Sequence, residues 1–413
     1  MPATLLTERP QTHAGGRGLR RIPAWSLVAP AQFAMAWGGN HFTPLLQLYE
    51  QRGHYSQTDT NLLLGTYVFG LVPGLLLAAA LSEHYGRRKL MIAGLSMSLL
   101  GSIVLALGFP VFWLLCAGRV FAGLGVGVAM SVGTSWMVEL SRAPHDRDAT
   151  DAARVRRPAL TMTLGFGIGA AVSGTLAQWA PWPTVLPYLV HITLCAFALP
   201  VLLLATETSP LKHEGHWWAA IRVRSVRDRR FRRVVLPTAP WVFGSAGIAY
   251  ALLPELVEHR LGSHVLIFAT LLCVLTLGCA VLVQPRVPAL AVRTRGHALT
   301  VGMAAIMVGV VLALVSDALA SPLIAVLAAP VLGCGFGVSV VAGLGEIQRI
   351  AEPRELAGMT GVYYCLTYLG FLLPSVLSAF SGVASYPVLL AVVAGVCGLC
   401  LACASFAIAH DAR

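Results

Sequence analysis

Arg119 is the side chain in this sequence whose position most needs a chemical explanation. It lies in the apolar run Val111–Leu140, and no other arginine or lysine lies inside a run of that kind. Burial of a guanidinium in a membrane is costly, so a functional role is the default interpretation. Arg119 could bind an anionic or polar substrate in a cavity, or couple to a proton site. The alternative is a structural arginine bonded to helix carbonyls.

Histidine is the second residue type here that could do chemistry. His41 follows Asn40 in the first apolar run, and its imidazole titrates in the range that proton transfer needs. It could carry protons, or it could equally form a hydrogen bond inside a helix bundle. His191 is interpreted as structural. Four acids are expected to be solvated caps at the predicted outer ends of the apolar runs: Glu50, Asp59, Glu255 and Glu258.

A short polar stretch, Ala79–Lys89, supplies the remaining charged candidates. It separates two uncharged runs, Asn61–Ala80 and Leu90–Pro110, each long enough to cross a bilayer. A turn this short between two spans must lie at a membrane surface. Its three adjacent cations, Arg87, Arg88 and Lys89, indicate the cytoplasmic surface.

Composition places the whole chain in the membrane. Of its 413 residues, 57% are hydrophobic and 11% are charged, whereas soluble domains average about 25% charged residues. The net charge of +11 follows from basic loops and does not indicate nucleic-acid binding. The nine cysteines lie in apolar runs, and Cys397, Cys400 and Cys403 are interpreted as packing residues rather than metal ligands. We therefore expect no metal, no cofactor and no enzymatic activity.

Twelve apolar runs predict twelve membrane spans. They are Trp25–Tyr49, Thr58–Leu81, Leu90–Phe109, Val111–Leu140, Ala159–Ala180, Val185–Ala205, Val234–Leu256, Ser263–Val283, His297–Val315, Pro322–Ile347, Leu356–Phe380 and Tyr386–Ile408. With a cytoplasmic N-terminus, only Arg52, Arg119 and Arg260 of the 29 lysines and arginines fall outside cytoplasmic segments. This alternation predicts a multi-pass protein of the inner (plasma) membrane with both termini in the cytoplasm.

The spans divide into two halves. We expect a cytoplasmic tail at 1–24, a six-helix bundle at 25–205, a basic linker at 206–233, a second bundle at 234–409 and a cytoplasmic C-terminus at 410–413. The linker, with Trp217 and Trp218 ahead of its arginines, could lie on an anionic leaflet or be a solvated connection. Glu139 and Arg142 at the end of span four recur as Glu346 and Arg349 in span ten, as expected of repeats.

This organisation resembles the major facilitator superfamily, an all-α fold of twelve transmembrane helices in two pseudo-symmetric six-helix bundles. The family's loop after span two runs Gly-x-Leu-Ala-Asp-Arg-x-Gly-Arg-Lys/Arg, and here it reads Ala79-x-Leu81-Ser82-Glu83-His84-x-Gly86-Arg87-Arg88. The resemblance implies a conformational latch that holds the two bundles in the outward-open state, formed by Glu83, Gly86, Arg87, Arg88 and Glu139. A latch at Glu83 requires that Glu83→Gln slow transport at unchanged membrane abundance.

Glycine-rich segments extend the resemblance to drug/proton antiporters of that family. Span four opens with the family's Arg and Gly-rich run at Arg119, and span five has the antiporter motif with Ala170 for its proline and Ser173 for a glycine. Thr206-Glu207-Thr208 resembles the family's Glu-Thr marker after span six. Small residues at these spacings allow helices to approach closely. The predicted packing glycines are Gly123, Gly125, Gly127, Gly165, Gly169 and Gly174.

The resemblance also implies a central cavity for substrate and protons. Its predicted wall combines aromatic and polar residues: Gln32, Trp37, Asn40, His41, Arg119, Trp241, Tyr250, Tyr363, Tyr364 and Tyr368. Such a wall suits an amphipathic organic molecule, although aromatic residues in membranes also mark the lipid interface. Family exporters place an acid in span one, where this chain has Asn40 and His41.

The leading functional hypothesis is a secondary active transporter that exports a small organic or amphipathic compound by proton antiport and alternating access. The alternatives are a proton-coupled importer of a small metabolite and a membrane sensor that transports nothing. The expected partners are a small-molecule substrate, protons as coupling ion and the lipid bilayer, with no nucleic acid, and the protein is expected to be a monomer.

Overall fold

A computed structural model describes residues 23–209, 225–352 and 355–411. Throughout these ranges the chain is helical, with no β-strand. The predicted N-terminal tail up to residue 22, Trp217 and Trp218 of the linker, and the last two residues lie outside the described ranges. The fold is therefore all-α, as the sequence predicts.

The first half of the described chain contains eight α-helices. They are α1 (Ala29–Asn40), α2 (Leu46–Gly53), α3 (Gln57–Tyr85), α4 (Arg87–Leu107), α5 (Phe112–Val128), α6 (Thr134–Leu140), α7 (Asp151–Trp179) and α8 (Leu186–Leu203). The π-helical segment Ala129–Gly133 joins α5 to α6 into one span.

The second half has the same plan after the linker. Its helices are α9 (Leu236–Gly247), α10 (Leu253–Leu256), α11 (Glu258–Leu261), α12 (Val265–Val283), α13 (Val287–Arg293), α14 (Ala298–Ala318), α15 (Pro322–Ile350), α16 (Leu356–Leu369), α17 (Leu373–Phe380) and α18 (Tyr386–Asp411). Two π-helical segments, Phe231–Val235 and Ile248–Leu252, precede and follow α9.

Eleven helical spans in the described ranges are long and apolar enough to cross a membrane. The predicted first span, Trp25–Tyr49, is not among them because it is not one continuous helix. Helix α1 ends at Asn40, a 3-10 turn follows at Thr43–Leu45, and α2 begins at Leu46. Pro44 in that turn has no N–H to continue an α-helical ladder, which accounts for the break.

The two bundles are held together internally by close helix packing. In the first, α5 packs against α3 and α4 while α1 packs against α7; in the second, α15 packs against α12 and α14, and α14 against α18. Buried aliphatic and aromatic side chains from both halves form one large core. Bilayer lipid provides no hydrophobic drive between helices, so this packing depends on the fit of small residues.

All six predicted packing glycines lie where helices approach closely. A Cβ on Gly123 or Gly127 would meet backbone atoms of α3, and one on Gly125 would meet α4. Gly165 and Gly169 of α7 face α1, while Gly174 faces Thr270 of α12 in the other bundle. At Gly127 the Cβ would lie 2.6 Å from both the Leu71 carbonyl oxygen and the Leu75 nitrogen.

The two ends of the bundles differ in charge and in contact. We call the end that carries Arg87, Arg142 and Arg230 the basic end, and the opposite one the far end. At the far end the bundles touch through hydrogen bonds: Thr58 to Ser378 at 3.0 Å, Ser375 to the Asn61 carbonyl at 2.6 Å, and Gln178 to the Ser263 carbonyl at 3.1 Å. Among the described residues, no hydrogen bond or ion pair joins the bundles at the basic end. This structure is therefore closed at the far end.

Gly127→Ala tests the packing of α5 on α3. The added methyl group would meet immobile backbone, so we expect a loss of about 1–3 kcal/mol of stability and a lower unfolding midpoint in detergent. Gly167→Ala is the matched control on α7, because a Cβ there meets no atom within 4 Å. Alanine at that site should leave the midpoint unchanged or slightly raised. Equal midpoints for the two variants would contradict the packing interpretation.

Candidate substrate cavity and charged clusters

A cavity of about 130 Å³ lies between the two bundles. Its wall includes Asn40 and Arg119 from the first bundle and Tyr250 and Phe336 from the second. It reaches Gln284, beyond the last residue of α12, and therefore extends towards the basic end. With the far end closed, the cavity in this structure can communicate only with the side of the membrane at the basic end, which is one of the two states that alternating access requires.

Aromatic rings form the apolar part of the wall. Phe243 of α9 stacks on Tyr368 of α16, with ring centroids 3.9 Å apart and planes at 19°. Phe336 and Phe371 also pack against Phe243, with centroids 5.1 Å and 4.9 Å away. Tyr67 of α3 faces Tyr368 from the other bundle at 6.3 Å. The cavity can thus hold a flat or apolar face of a small molecule against stacked rings.

Arg119 is the cationic group in this wall. Its guanidinium carbon lies 4.5 Å above the Phe42 ring and 4.7 Å above the Tyr67 ring, and its Nε donates to the Leu63 carbonyl oxygen at 3.1 Å. The side chain is 1% exposed, and its Nη1 has no hydrogen-bond partner. The two rings and one carbonyl compensate part of the burial cost. The buried Nη1 has no hydrogen-bond partner, which adds to the cost of burying this side chain.

Half of the predicted cavity residues lie in its wall: Asn40, Arg119, Tyr250, Tyr364 and Tyr368. Asn40 donates to the Phe166 carbonyl at 3.1 Å. The other five pack between helices. Gln32 donates to Thr134 at 3.2 Å, Tyr363 donates to the Ser339 carbonyl at 3.1 Å, and Trp37, His41 and Trp241 are buried in the core. The spacing of residues along one helix does not show whether a tyrosine faces the cavity or a neighbouring helix.

His41 is buried away from the cavity wall. Its ring stands edge-on to Tyr188 and near His191, with centroids 5.0 Å away in each case. Neither ring nitrogen of His41 has a hydrogen-bond partner, whereas His191 bonds Ser102 and the Ala34 carbonyl. The structural interpretation of His191 fits these two bonds. Proton transfer by His41 stays a prediction.

At the basic end, Arg87 and Glu139 form an ion pair. Nη2 of Arg87 lies 3.0 Å from Oε1 of Glu139, and its Nη1 donates to Ser82. Thr208 donates to the other oxygen of Glu139. All of these residues belong to the first bundle or to the chain just after it. The pair therefore links the α3–α4 turn to α6, and its predicted action between bundles stays a prediction.

Glu207 takes the place in this cluster that the sequence analysis gave to Glu83. Its two oxygens accept from the backbone N–H of Arg87 and of Arg88, each at 2.9 Å. These are the first two residues of α4, whose N–H groups have no partner within the helix. Glu83 is exposed and its side chain makes no hydrogen bond or ion pair among the described residues. The resemblance of Thr206-Glu207-Thr208 to the family's Glu-Thr marker is the sequence feature that points to Glu207 as a member of this cluster.

Gly86 lets that carboxylate reach the helix. Its φ is +97°, a conformation that glycine adopts readily, and a Cβ there would lie 2.7 Å from Oε2 of Glu207. Burial alone would raise the pKa of Glu207, but backbone N–H groups of Arg88, Ser209, Arg87 and Thr208 donate to it and hold its pKa below the usual value. The site is thus a carboxylate held at a helix N-terminus.

The second bundle has its own ion cluster at the basic end. Glu346, on α15, pairs with Arg230 at 2.6 Å and with Arg349 at 3.3 Å. Repeat symmetry correctly indicated an acid and an arginine here, but the main cation comes from the segment before α9. Gln284, where the first half has its acidic turn, lines the cavity instead.

The acids at the far end depart from the expected solvated caps. Asp59 fits that expectation, since it forms a capping box with Ser56 at the start of α3. Glu255 does not: it is only 9% exposed and accepts from Gln57 at 2.7 Å and from Asn61 at 3.2 Å. Its hydrogen bonds cross between the bundles. Glu50 accepts from Thr60.

Two helical bundles around a central cavity, closed at one end, define a membrane transporter of the alternating-access class. The family model of the Major Facilitator Superfamily matches residues 28–375, and the chain belongs to that family. It is thus a multi-pass membrane transporter with a small-molecule substrate.

Solved structures show the same fold. A POT family transporter in complex with 5-aminolevulinic acid superposes with a TM-score of 0.74 at 11% identity, covering 95% of this chain and 97% of that chain. Nucleoside transporter NupG superposes with a TM-score of 0.66 at 12% identity, covering 94% and 98%. Identities this low establish the fold alone.

Curated relatives are similar over part of their length. D-xylose-proton symporter-like 1 of Arabidopsis thaliana is 29% identical over 135 residues, which are 32% of this chain and 26% of that protein. High-affinity fructose transporter ght6 of Schizosaccharomyces pombe is 27% identical over 134 residues, 32% of this chain and 23% of that protein. The matched part thus spans about a quarter of these relatives.

Glu207→Ala tests the carboxylate cap of α4. Loss of a cap typically costs about 0.5–2 kcal/mol, so we expect a lower unfolding midpoint in detergent. Glu83→Ala is the control on the same turn and should leave the midpoint unchanged. Because folding lowers the pKa of Glu207, its contribution is complete above the usual glutamate value of about 4.3 and disappears as pH falls through the lowered value.

The midpoints of wild type and Glu207→Ala should accordingly differ by a constant amount from neutral pH down to about pH 5, and converge in stronger acid. A difference that persists unchanged at low pH, or an equal loss in Glu83→Ala, would count against the cap.

Proposed function

We propose that this protein is a proton-coupled secondary transporter that imports a small, largely neutral organic molecule by alternating access, with no catalytic step. The observation that carries the proposal is the cavity between the bundles, open towards the basic end and sealed at the far end by hydrogen bonds between the bundles. A substrate bound there would be exposed to opposite sides of the membrane as the bundles rock.

The chemistry of the wall supports an organic substrate with one apolar face and a few polar groups. Stacked rings of Phe243 and Tyr368 suit a planar or ring-shaped molecule. Asn40, Thr163 and Gln284 supply hydrogen-bonding groups, and Arg119 places a cation in the wall. A sugar-like or nucleoside-like ring with hydroxyl groups has both features.

Import with protons is supported by two observations. Two relatives are named as D-xylose-proton symporter-like proteins. In addition, the antiporter motif is altered where it matters structurally: Ser173 donates to the His41 carbonyl at 2.6 Å, and Ala170 is fully buried. With Ala170 in place of the family's proline, α7 runs unbroken from Asp151 to Trp179.

Proton-driven export of an amphipathic compound is the second candidate. The apolar, aromatic half of the wall favours it, because such walls accept molecules with few hydrogen-bonding groups. The two candidates share the cavity and the two-bundle mechanism. They differ only in the direction of substrate relative to protons.

The proposed orientation places the basic end in the cytoplasm and the protein in the plasma membrane. That end carries Arg87, Arg88 and Lys89 in the first turn of α4. It also carries Arg142 and Arg147 between α6 and α7, and Arg157 near the start of α7. Cationic short loops are retained on the cytoplasmic side during insertion. With this orientation the structure is inward-facing, and we propose that a monomer is the functional unit.

Flux into proteoliposomes with an imposed pH gradient tests the proposal. We expect D-xylose, D-fructose, a polyol or a nucleoside from a radiolabelled panel to accumulate with the inward proton flow, and a protonophore to abolish accumulation. Movement of an amphipathic dye against the proton flow would select export instead. No flux of any panel member, with correctly folded protein, would reject both transport candidates.

Arg119→Lys tests the cationic group of the cavity. Lysine keeps the charge but loses the planar group that spans Phe42 and Tyr67, a contact of about 1–2 kcal/mol when buried. We expect the initial rate at low substrate concentration to fall, because the ammonium group does not occupy the place of the planar guanidinium in the cavity wall. Arg52→Lys, at an exposed position of α2, should transport normally. Equal rates for both variants would make Arg119 structural.

A further inference from the structure

Glu255 occupies an unusual position for a carboxyl group. It lies in α10, directly after the π-helical segment Ile248–Leu252, and it is 9% exposed. Its Oε2 accepts from Gln57 Nε2 at 2.7 Å, and its Oε1 accepts from Asn61 Nδ2 at 3.2 Å. Both amides belong to α3 of the other bundle. A single carboxyl group therefore joins the bundles at the closed far end.

The carboxyl groups of the ion clusters at the basic end all have a cation. Glu139 pairs with Arg87, and Glu346 pairs with Arg230. In the described part of the chain, no arginine, lysine or histidine lies within ion-pair distance of Glu255. A buried carboxylate with only amide donors is costly, and the cost disappears when it carries a proton.

The titratable groups that face Glu255 increase this cost. Glu50 on α2 and Glu258 on α11 interact with it electrostatically, and Tyr386 of α18 does so as well while donating to Gln57 at 2.9 Å. On the neighbouring α14, Asp317 interacts with His259. The groups that interact with Glu255 are thus acids and a phenol. The two acids, when ionised, oppose a negative charge on Glu255.

We propose that the Glu255 carboxyl is the proton-binding group of the transport cycle, and that it binds its proton as the far end closes. The inference rests on the proton coupling proposed above and supplies the acid that span one lacks. The proton comes from solution at the open far end and converts carboxylate to carboxyl. It leaves on the cavity side, whose wall includes Tyr250 of the same span.

The direction of the effect follows from burial. In a far-open state Glu255 would be hydrated and could stay ionised at little cost. Closure removes that water, so the neutral form is easier to enclose than the charged form. Proton binding and far-end closure therefore favour each other, and lower pH should shift the population towards the closed end.

Labelling of Ser378→Cys measures closure without any substrate. Ser378 is 3% exposed and bonds Thr58 across the closed interface, so its thiol should react with a membrane-impermeant maleimide only when the far end opens. Purified protein in nanodiscs is labelled from pH 8 to pH 5. Rates are normalised to the exposed Gln51→Cys at each pH, and wild type gives the background from native cysteines.

We expect normalised labelling to slow about ten-fold as pH falls, which is the effect of one pH unit of difference in proton affinity. In the double variant with Ser378→Cys and Glu255→Gln, labelling should stay slow at every pH, because glutamine is neutral and keeps the acceptor oxygen. Glu258→Gln, which removes a neighbouring acid, should retain the pH dependence. The proposal is wrong if labelling still depends on pH in the Glu255→Gln background, or if labelling of Ser378→Cys alone does not depend on pH.

Gln57→Leu keeps the proposal testable if Glu255→Gln does not fold. Loss of the amide donor makes the closed carboxylate costlier, so labelling should be faster at high pH and unchanged at low pH. An unchanged profile would overturn the assignment. Because labelling needs no substrate, a failed flux panel with intact pH dependence rejects the transport proposal alone. Normal proton-driven flux in Glu255→Gln rejects the Glu255 assignment alone.

Discussion

The contact of α5 with α3 and α4 is the constraint on which the cavity depends. Glycines at 123 and 127 bring the backbone of α5 against that of α3, and Gly125 does the same towards α4. Arg119, one turn ahead of Gly123 on α5, is then carried to the Leu63 carbonyl and between two aromatic rings. Larger residues at these glycines would move the guanidinium out of the wall. The packing of α5 therefore also determines the position of its cationic group.

Charge is used differently at the two ends of the molecule. At the basic end Glu139 and Glu346 pair with arginines, and Glu207 accepts from backbone N–H groups. At the far end the contacts between bundles rely on amides, hydroxyls and one carboxyl without a cation. In a low-dielectric interface, the protonation state of that carboxyl strongly affects the free energy of contact between the bundles.

The sequence predicted the all-α fold, and half of its candidate cavity residues lie in the wall, for identifiable reasons. Long uncharged runs leave few alternatives to membrane helices, and the loop from Glu83 to Arg88 gave the family. The family's Glu-Thr marker also pointed to Glu207, but not to its role, because a cap formed by a residue from a distant loop leaves no local pattern. Glu255 was interpreted as solvated because its position at a span end is visible in the sequence, whereas the amides of α3 that enclose it are not.

The inner residues of the cavity show the same limit. Tyr363 and Tyr364 are adjacent, yet one donates to a carbonyl of α15 and the other lines the cavity. The first span was overestimated for a related reason: apolar composition continues through Pro44, whereas the backbone hydrogen-bond ladder does not. Apolar composition shows that a segment can be buried in lipid or in protein. The three-dimensional structure decides which neighbours each side chain contacts.

The contacts around Glu207 have a mechanical consequence for the whole chain. Trp136 holds the Thr206 carbonyl, Glu207 holds the α3–α4 turn, and Ser225 is bonded to Glu355 at 2.9 Å in the second half. The chain after α8 is thus bonded to the first bundle, and Ser225, ahead of α9, is bonded to the second. Each bundle anchors its own end of the connection, so movement of that connection is not passed directly to α8 or α9.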